Sequence, residues 1–240
     1  MTMIEFPPLE RSKTYEAVVH RIQDEIFSGR LRPGDRLPGE RQLSEQLGVS
    51  RPSVREAVRM LQAMEIVNTS PGTGSSSGLI VTAHPSRALT RLLGIHVALS
   101  SYDVSEVMKV RVALEVEAVQ ELANPDRTYD LTAVEKALDR MRDASDDRSL
   151  IHDLDTEFHL ELARATGNTL LADLMAALRA SVRRPMDEAF NDVTSWGAVR
   201  LTILQGHREL FEAISAKDPE RAGDLVRRHI TGFYDSVQRS

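Results

Sequence analysis

Residues 30–67 read RLRPGDRLPGERQLSEQLGVSRPSVREAVRMLQAMEIV, and the fold of the N-terminal part turns on them. Pro33, Gly34 and Pro38 interrupt the start of this stretch, so the chain must turn before a helix opens near Gly39 or Glu40. Leu43 and Leu47, one turn apart, form that helix's buried pair; Gly48 stops it and Val49 plugs the corner. Ser50 suits an N-cap, and Pro52 falls in the first turn of the next helix, where a missing N–H costs nothing. That third helix runs to about Met64. Val54, Ala57, Val58 and Leu61 face inward, while Arg51, Ser53, Arg55 and Arg59 point elsewhere. A helix, a glycine-containing turn and a second helix with arginines on its outer face suit the major groove of DNA.

Both flanks extend this reading. Upstream, Val18, Ile22 and Ile26 recur at four-residue spacing, one buried stripe of a helix over residues 14–28 that Gly29 ends. Downstream, Ile66, Val67 and Thr69, then SPGTGSSSG at 70–78, then Leu79 to Thr82 make two short strands round a flexible tip, a wing. The tip carries no acidic side chain, so its backbone can approach a phosphate closely.

The run 30–67 resembles the DNA-binding signature of GntR-family bacterial transcription regulators. The resemblance lies in the Pro-Gly turn, Leu-Pro-x-Glu-Arg at 37–41, Leu-Gly-Val-Ser-Arg at 47–51 and Val-Arg-Glu-Ala at 54–57. Gly39 departs from the family's usual Ser or Ala, and the wing is longer and less basic than is usual. The resemblance implies DNA contacts from Arg41, Ser50, Arg51, Ser53, Arg55 and Gly72. Arg59, one turn further along, reaches only phosphate or pairs with Glu56 or Glu65. The residue types agree: arginine binds guanine bidentately or neutralises phosphate, and hydroxyls near a helix N-terminus bond phosphate oxygens.

Composition bounds the rest. The 240 residues, 41% apolar and 28% charged, suit two compact domains rather than a disordered or fibrous chain. Residues 1–82 carry ten basic and ten acidic side chains, leaving twenty and twenty-six for residues 83–240, so the net charge of −6 belongs to the second part. Four arginines between 41 and 59 face only Glu45 and Glu56, a local basic patch. No uncharged stretch approaches the roughly 20 apolar residues of a membrane span. The N-terminus lacks the pattern of a secretory signal, and a cytoplasmic protein is expected. With no cysteine there is no disulfide, thiolate zinc site or thiol catalysis.

The expected fold is mainly α: a winged helix-turn-helix over residues 1–83 and an all-helical bundle over 84–240. The bundle's six or seven helices span about 86–99, 103–123, 128–144, 148–166, 169–189, 195–216 and 219–238, separated by breakers such as Asn124-Pro125 and Lys217-Asp218-Pro219. This part resembles the FCD effector-binding domain of the FadR subfamily, through Val110-Arg111-x-x-Leu-Glu115, Asp155-x-x-Phe-His159, Ala165-Thr-Gly-Asn168 and two late histidines.

Asp155 and His159, four apart on a helix, share a face and can share an ion. His207 and His229 each lie eleven residues from Asp218, so an antiparallel hairpin would level their imidazoles. A third helix bringing Asp155 and His159 to that height completes three histidines and a carboxylate. The competing reading is two buried hydrogen-bonded histidines and a surface pair, with His152 as decoy or substitute ligand. The resemblance favours the metal, since Asp-x-x-x-His with two later histidines marks the family's metal-binding subset. Such a set suits a divalent transition metal, zinc first, with nickel, manganese or iron also fitting.

Arg111, on a mostly apolar helix, either pairs with Glu115 or meets an anion. In similar regulators an arginine in this word lies near the effector, which implies a small organic acid spanning Arg111 and the metal. Asn168 reads as a cap; Met186, Phe190 and Trp196 read as pocket lining or as core. The functional expectation is a homodimeric, metal-containing repressor on a pseudo-palindromic operator in double-stranded DNA, controlled by that acid. The alternatives are a metal-dependent hydrolase with an accessory nucleic-acid-binding domain, and a metal-free regulator responding to acyl-CoA.

Overall fold

The computed structural model describes residues 12–70, 78–82, 86–99 and 102–238, and the chain divides into two compact units, one ending at Ala88 and the other beginning at Leu89. The first contains α1 (Ser12–Phe27), β1 (Arg36–Leu37), α2 (Glu40–Leu47), α3 (Arg51–Ala63), β2 (Val67–Ser70) and β3 (Gly78–Val81). Its core is the inward set read from the sequence: Val18 and Ile22 of α1, Leu43 of α2, and Val54, Ala57, Val58 and Leu61 of α3.

Two local devices set the angle at which α3 is presented. Gly48 closes α2 at φ 66°, a left-handed conformation that side chains disfavour, and its N–H donates to the Ser44 carbonyl. Ser50 then caps α3, its hydroxyl accepting from the Ser53 N–H at 3.3 Å, with Pro52 in the first turn. Ser50→Ala is therefore expected to cost about 1 kcal/mol of stability, read as a shift in the urea midpoint at unchanged slope.

The strands form a three-stranded antiparallel sheet in the order β1-β3-β2, with Val67 opposite Val81 and Leu37 opposite Leu79. The segment 30–38, read as turn alone, thus contributes the short strand β1. Two residues are too few to show a period. Leu37 is nonetheless buried, and the turn before it is tied to β3 by Gly34 N–H to the Val81 carbonyl and Val81 N–H to the Asp35 carbonyl, both 2.9 Å. The wing tip at 71–77, including Gly72, and the expected boundary at residue 83 lie outside the described residues.

The second unit comprises α4 (Ser86–Ala98) from Leu89 onward, α5 (Val104–Leu122), α6 (Thr132–Asp143), α7 (Arg148–Ala165), α8 (Thr169–Ser181), α9 (Arg183–Asp192), α10 (Trp196–Ser215) and α11 (Pro219–Gln238). The eight helices among its described residues exceed the expected six or seven because residues 169–189 break at Val182. Pro185 has no N–H to donate to the Ser181 carbonyl and its ring would clash there, so α9 restarts with the proline in its first turn. The helix expected from residue 128 starts at Thr132 instead, where the Asp130 carboxylate takes the Thr132 N–H at 2.9 Å.

α11 packs along α5, α6 along α7, and α10 against α11. The core between them centres on Phe158, Met141, Ile151, Leu210 and Ile214, all essentially inaccessible to solvent. Among the described residues, no helix is long and apolar enough to cross a membrane.

Candidate metal centre and DNA-reading face

The polar centre of the bundle is assembled by five helices: α5 supplies Arg111 and Glu115, α7 supplies Asp155 and His159, α8 supplies Arg179, α10 His207 and α11 His229. α10 and α11 pack as a hairpin through Lys217, whose φ of 58° reverses the chain and whose Nζ donates to the Leu122 carbonyl at 3.1 Å and the Arg127 carbonyl at 2.8 Å. The Asp218 carboxylate caps α11 by accepting the Arg221 N–H at 3.0 Å. These ties level the two late histidines, whose ring centroids are 4.4 Å apart. On α7, Phe158 packs edge-on against both His159 and His207, walling the centre from beneath.

One ligand atom from each of Asp155, His159, His207 and His229 lies within 4.8 Å of every other. Asp155 Oδ1 faces the three imidazole Nε2 atoms at 3.8 Å (His159), 3.1 Å (His207) and 3.4 Å (His229). His207 Nδ1 is 2.7 Å from the Ile203 carbonyl, which can only accept, so the proton sits on Nδ1 and Nε2 presents a lone pair. The Nε2 atoms of His207 and His159 are buried without a hydrogen-bond partner. Buried lone pairs converging on a carboxylate oxygen are costly unless a cation sits among them. The donor set therefore fits a divalent transition metal.

The next layer holds these four side chains in place. Glu115 divides its carboxylate, Oε1 accepting from Arg111 Nε at 2.9 Å and Oε2 lying 2.5 Å from His159 Nδ1. Asp155 divides its own, Oδ2 accepting from both terminal nitrogens of Arg179 at 3.1 and 3.2 Å and Oδ1 being left for the imidazoles. Carboxylate partners of this kind fix the orientation and tautomer of ligating histidines.

The electrostatics follow from burial and charge together. Burial by itself would raise Glu115 and Asp155, but the surrounding charges outweigh it. His159, Arg111 and Arg179 hold Glu115 well below the usual carboxylate range, and the Arg179 guanidinium does the same for Asp155. Burial pushes His159 down to about 3 against the opposing pull of Glu115, and it lowers His229 with help from His207. Arg179 falls to about 10 through burial and the neighbouring Arg111, and stays charged at neutral pH.

Beside the cluster lies a small cleft, partly open to solvent, lined among others by Arg111, His152, Asp155, Arg179 and His229 with Met186 and Phe190. Arg111 pairs with Glu115 and also lines this cleft. Met186 and Phe190 are buried and line it too, whereas Trp196 packs on Phe190 at 5.7 Å and donates its indole N–H to the Asp146 carbonyl. Asn168 caps α8 by accepting the Leu171 N–H at 3.1 Å. His152 lies outside the cluster of four donors, its Nδ1 2.5 Å from Asp187 Oδ1.

Arg179 was not singled out in the sequence, although a lone arginine within the apolar run LLADLMAALRASV is the signal that could have found it. In the sequence Glu115 stands only as a partner for Arg111, one turn away. Its second role, behind His159, needs the α5–α7 contact, which no spacing reveals.

In the first unit Arg41, Ser50, Arg51, Arg55 and Arg59 are exposed and Ser53 is half-buried, its hydroxyl 2.8 Å from that of Ser50. Arg41 pairs with Glu45 at 3.8 Å, Arg55 with Glu40 at 3.3 Å across the turn, and Arg59 with Glu56 at 3.6 Å. Among the described residues no carboxylate pairs with Arg51, at the first position of α3. Exposed pairs of this sort are worth about 0–1 kcal/mol and yield readily to a phosphate or a base.

Comparison with known proteins agrees with this architecture. Residues 14–76 match the family model "Bacterial regulatory proteins, gntR family", and residues 106–232 match the FCD domain. The HTH-type transcriptional regulator LutR of Bacillus subtilis is 31% identical over 216 residues, covering 88% of this chain and 94% of the relative. The Glc operon transcriptional activator of Escherichia coli K12 is 26% identical, covering 92% and 87%. A GntR structure from Streptococcus agalactiae superposes with a TM-score of 0.60 at 25% identity, covering 92% of this chain and 99% of that one. These relatives are regulators, which removes the hydrolase alternative. A helix-turn-helix with exposed arginines, joined to an FCD bundle and matched along most of its length by such proteins, makes this chain a member of the GntR family of bacterial transcriptional regulators, with a DNA-binding N-terminal domain and a C-terminal FCD domain.

Proposed function

We propose that the protein is a metal-containing regulator of the FadR type, a homodimeric repressor whose grip on a pseudo-palindromic operator is controlled by a small organic acid bound beside the metal. The reading is carried by one observation: four donors from α7, α10 and α11 converge within 4.8 Å, with two imidazole lone pairs otherwise unmatched. Zinc is the first assignment, with nickel, manganese and iron compatible with the same donors. Asp155, His159, His207 and His229 would hold the ion, which supplies a Lewis-acidic position for a ligand oxygen.

Charge supports an acid as effector. Glu115 and Asp155 balance Arg111 and Arg179, so a divalent ion leaves two uncompensated positive charges in a buried place. An anion entering the cleft neutralises them, and Arg111 is positioned to take a carboxylate. A single helix-turn-helix reads one short half-site, and two are needed for useful affinity, which supports the dimer. Effector binding would shift operator affinity through the placement of the two reading heads.

Native mass spectrometry of the purified protein tests the ion and the dimer together: one ion per chain in a two-chain species is expected, and metal-free chains with no change on zinc addition would exclude the site and favour the metal-free acyl-CoA reading. With free zinc near ten times its dissociation constant, removal by chelator is expected to lower the midpoint of thermal unfolding by about 3–6 °C. A reporter fused to the operator reads the sign of control, and repression relieved by the acid is the expected result.

A further inference from the structure

The three imidazoles of the cluster are not held alike. His159 Nδ1 is met by Glu115 and His207 Nδ1 by the Ile203 carbonyl. Among the described residues no group pairs with His229 Nδ1, and the one polar contact of this ring is Nε2 to Asp155 Oδ1 at 3.4 Å. The neighbour of its Nδ1 is a glycine. A Cβ placed on Gly206 would lie 3.3 Å from that nitrogen, closer than such atoms settle at rest, and beyond its own helix would meet nothing else within 4 Å. Gly206 stands midway along α10, where a glycine weakens the helix relative to alanine, and its φ is not among the left-handed ones that call for glycine. What it contributes is the empty place of a side chain.

We propose that Gly206 is a positioning residue for the metal centre: its bare Cα leaves the slot that seats the His229 imidazole, so that this donor is aimed by packing where the other two histidines are aimed by hydrogen bonds. This rests on the metal reading given above. The ring is confined on its other sides by His207 and His159, with centroids 4.4 and 5.2 Å away. Nδ1 and Nε2 belong to one rigid five-membered ring, so a methyl group pressing on the first turns or shifts the second. The imidazole is the free end of its side chain and can yield at little cost to the fold. The cost falls on the alignment of Nε2 with the other three donors, and therefore on the ion rather than on stability.

The test uses the full-length protein. Zinc affinity is measured by competition with a chromophoric chelator, and donor geometry by the visible absorption bands of the cobalt(II)-loaded form. G206A is expected to lose about ten-fold or more in zinc affinity and to shift the cobalt bands, while the urea midpoint of the metal-free protein holds or rises because alanine favours the helix. G232A is the control. Gly232 lies on α11 along the same groove between α10 and α11, but a Cβ there meets nothing within 4 Å. It is expected to raise the midpoint and to leave zinc affinity and cobalt bands unchanged. In an H229A background, whose three remaining donors bind zinc more weakly, G206A is expected to change nothing further. If G206A does not fold, G206A/H229A is expected to fold, and unfolding of both overturns the proposal. Unchanged zinc affinity and cobalt bands in G206A, or equal losses in G206A and G232A, overturn the role of Gly206 and leave the metal reading standing. Wild-type protein that takes up neither ion overturns both.

Discussion

Asp155→Ala is expected to abolish zinc retention and to lower the unfolding free energy of the metal-free protein by roughly 3–5 kcal/mol. The loss has a specific source. Arg179 is 5% exposed and its fork rests on Asp155 Oδ2, so without that carboxylate a buried guanidinium has only Glu115, 4.0 Å from its Nε. Urea unfolding in the presence of chelator reads the stability, and metal analysis of the purified variant reads the ion. The two effects separate in the double variant D155L/R179M, which removes both charges. It is expected to recover most of the stability while remaining unable to hold zinc. An Asp155→Ala protein that still carries one zinc per chain would show that the carboxylate is not a ligand.

Arg51→Ala is expected to weaken operator binding by about 10- to 100-fold at fixed salt without moving the thermal midpoint. Arg51 is exposed at the first position of α3 and has no carboxylate partner among the described residues, so its removal costs the fold nothing. Fluorescence anisotropy on an operator selected from a random duplex pool measures the change, and the salt must be held constant because phosphate contacts make affinity steeply salt-dependent. Arg55 differs because it must leave Glu40 to reach the duplex. Glu40→Gln is therefore expected to tighten binding a few-fold, and an unaltered affinity would mean that Arg55 does not touch DNA.

The parts of this molecule that were readable without coordinates are those governed by short-range chemistry. Gly48 ends one helix and Ser50 caps the next through contacts within five residues, so the reading head is legible as a local pattern. The equal distances of His207 and His229 from Asp218 were legible for the same reason: helical rise and one turn suffice to level them. β1 was not, because a two-residue strand exists only through its pairing with Ile80 and Leu79. The break at Val182 was open to view in Pro185, and an unbroken apolar pattern on either side hid it.

Helix periodicity and capping were enough, from the order of residues alone, to place an arginine-bearing reading head before a helical bundle and to bring Asp155, His159, His207 and His229 together, since each depends on neighbours a turn or less away or on symmetric spacing about a turn. Packing alone decided that Arg179 braces Asp155, that Glu115 stands behind His159 and that His152 turns to Asp187. Those contacts join residues 24 to 44 positions apart on different helices, and which side chains meet there is set by how α5, α7, α8 and α9 pack around a shared core.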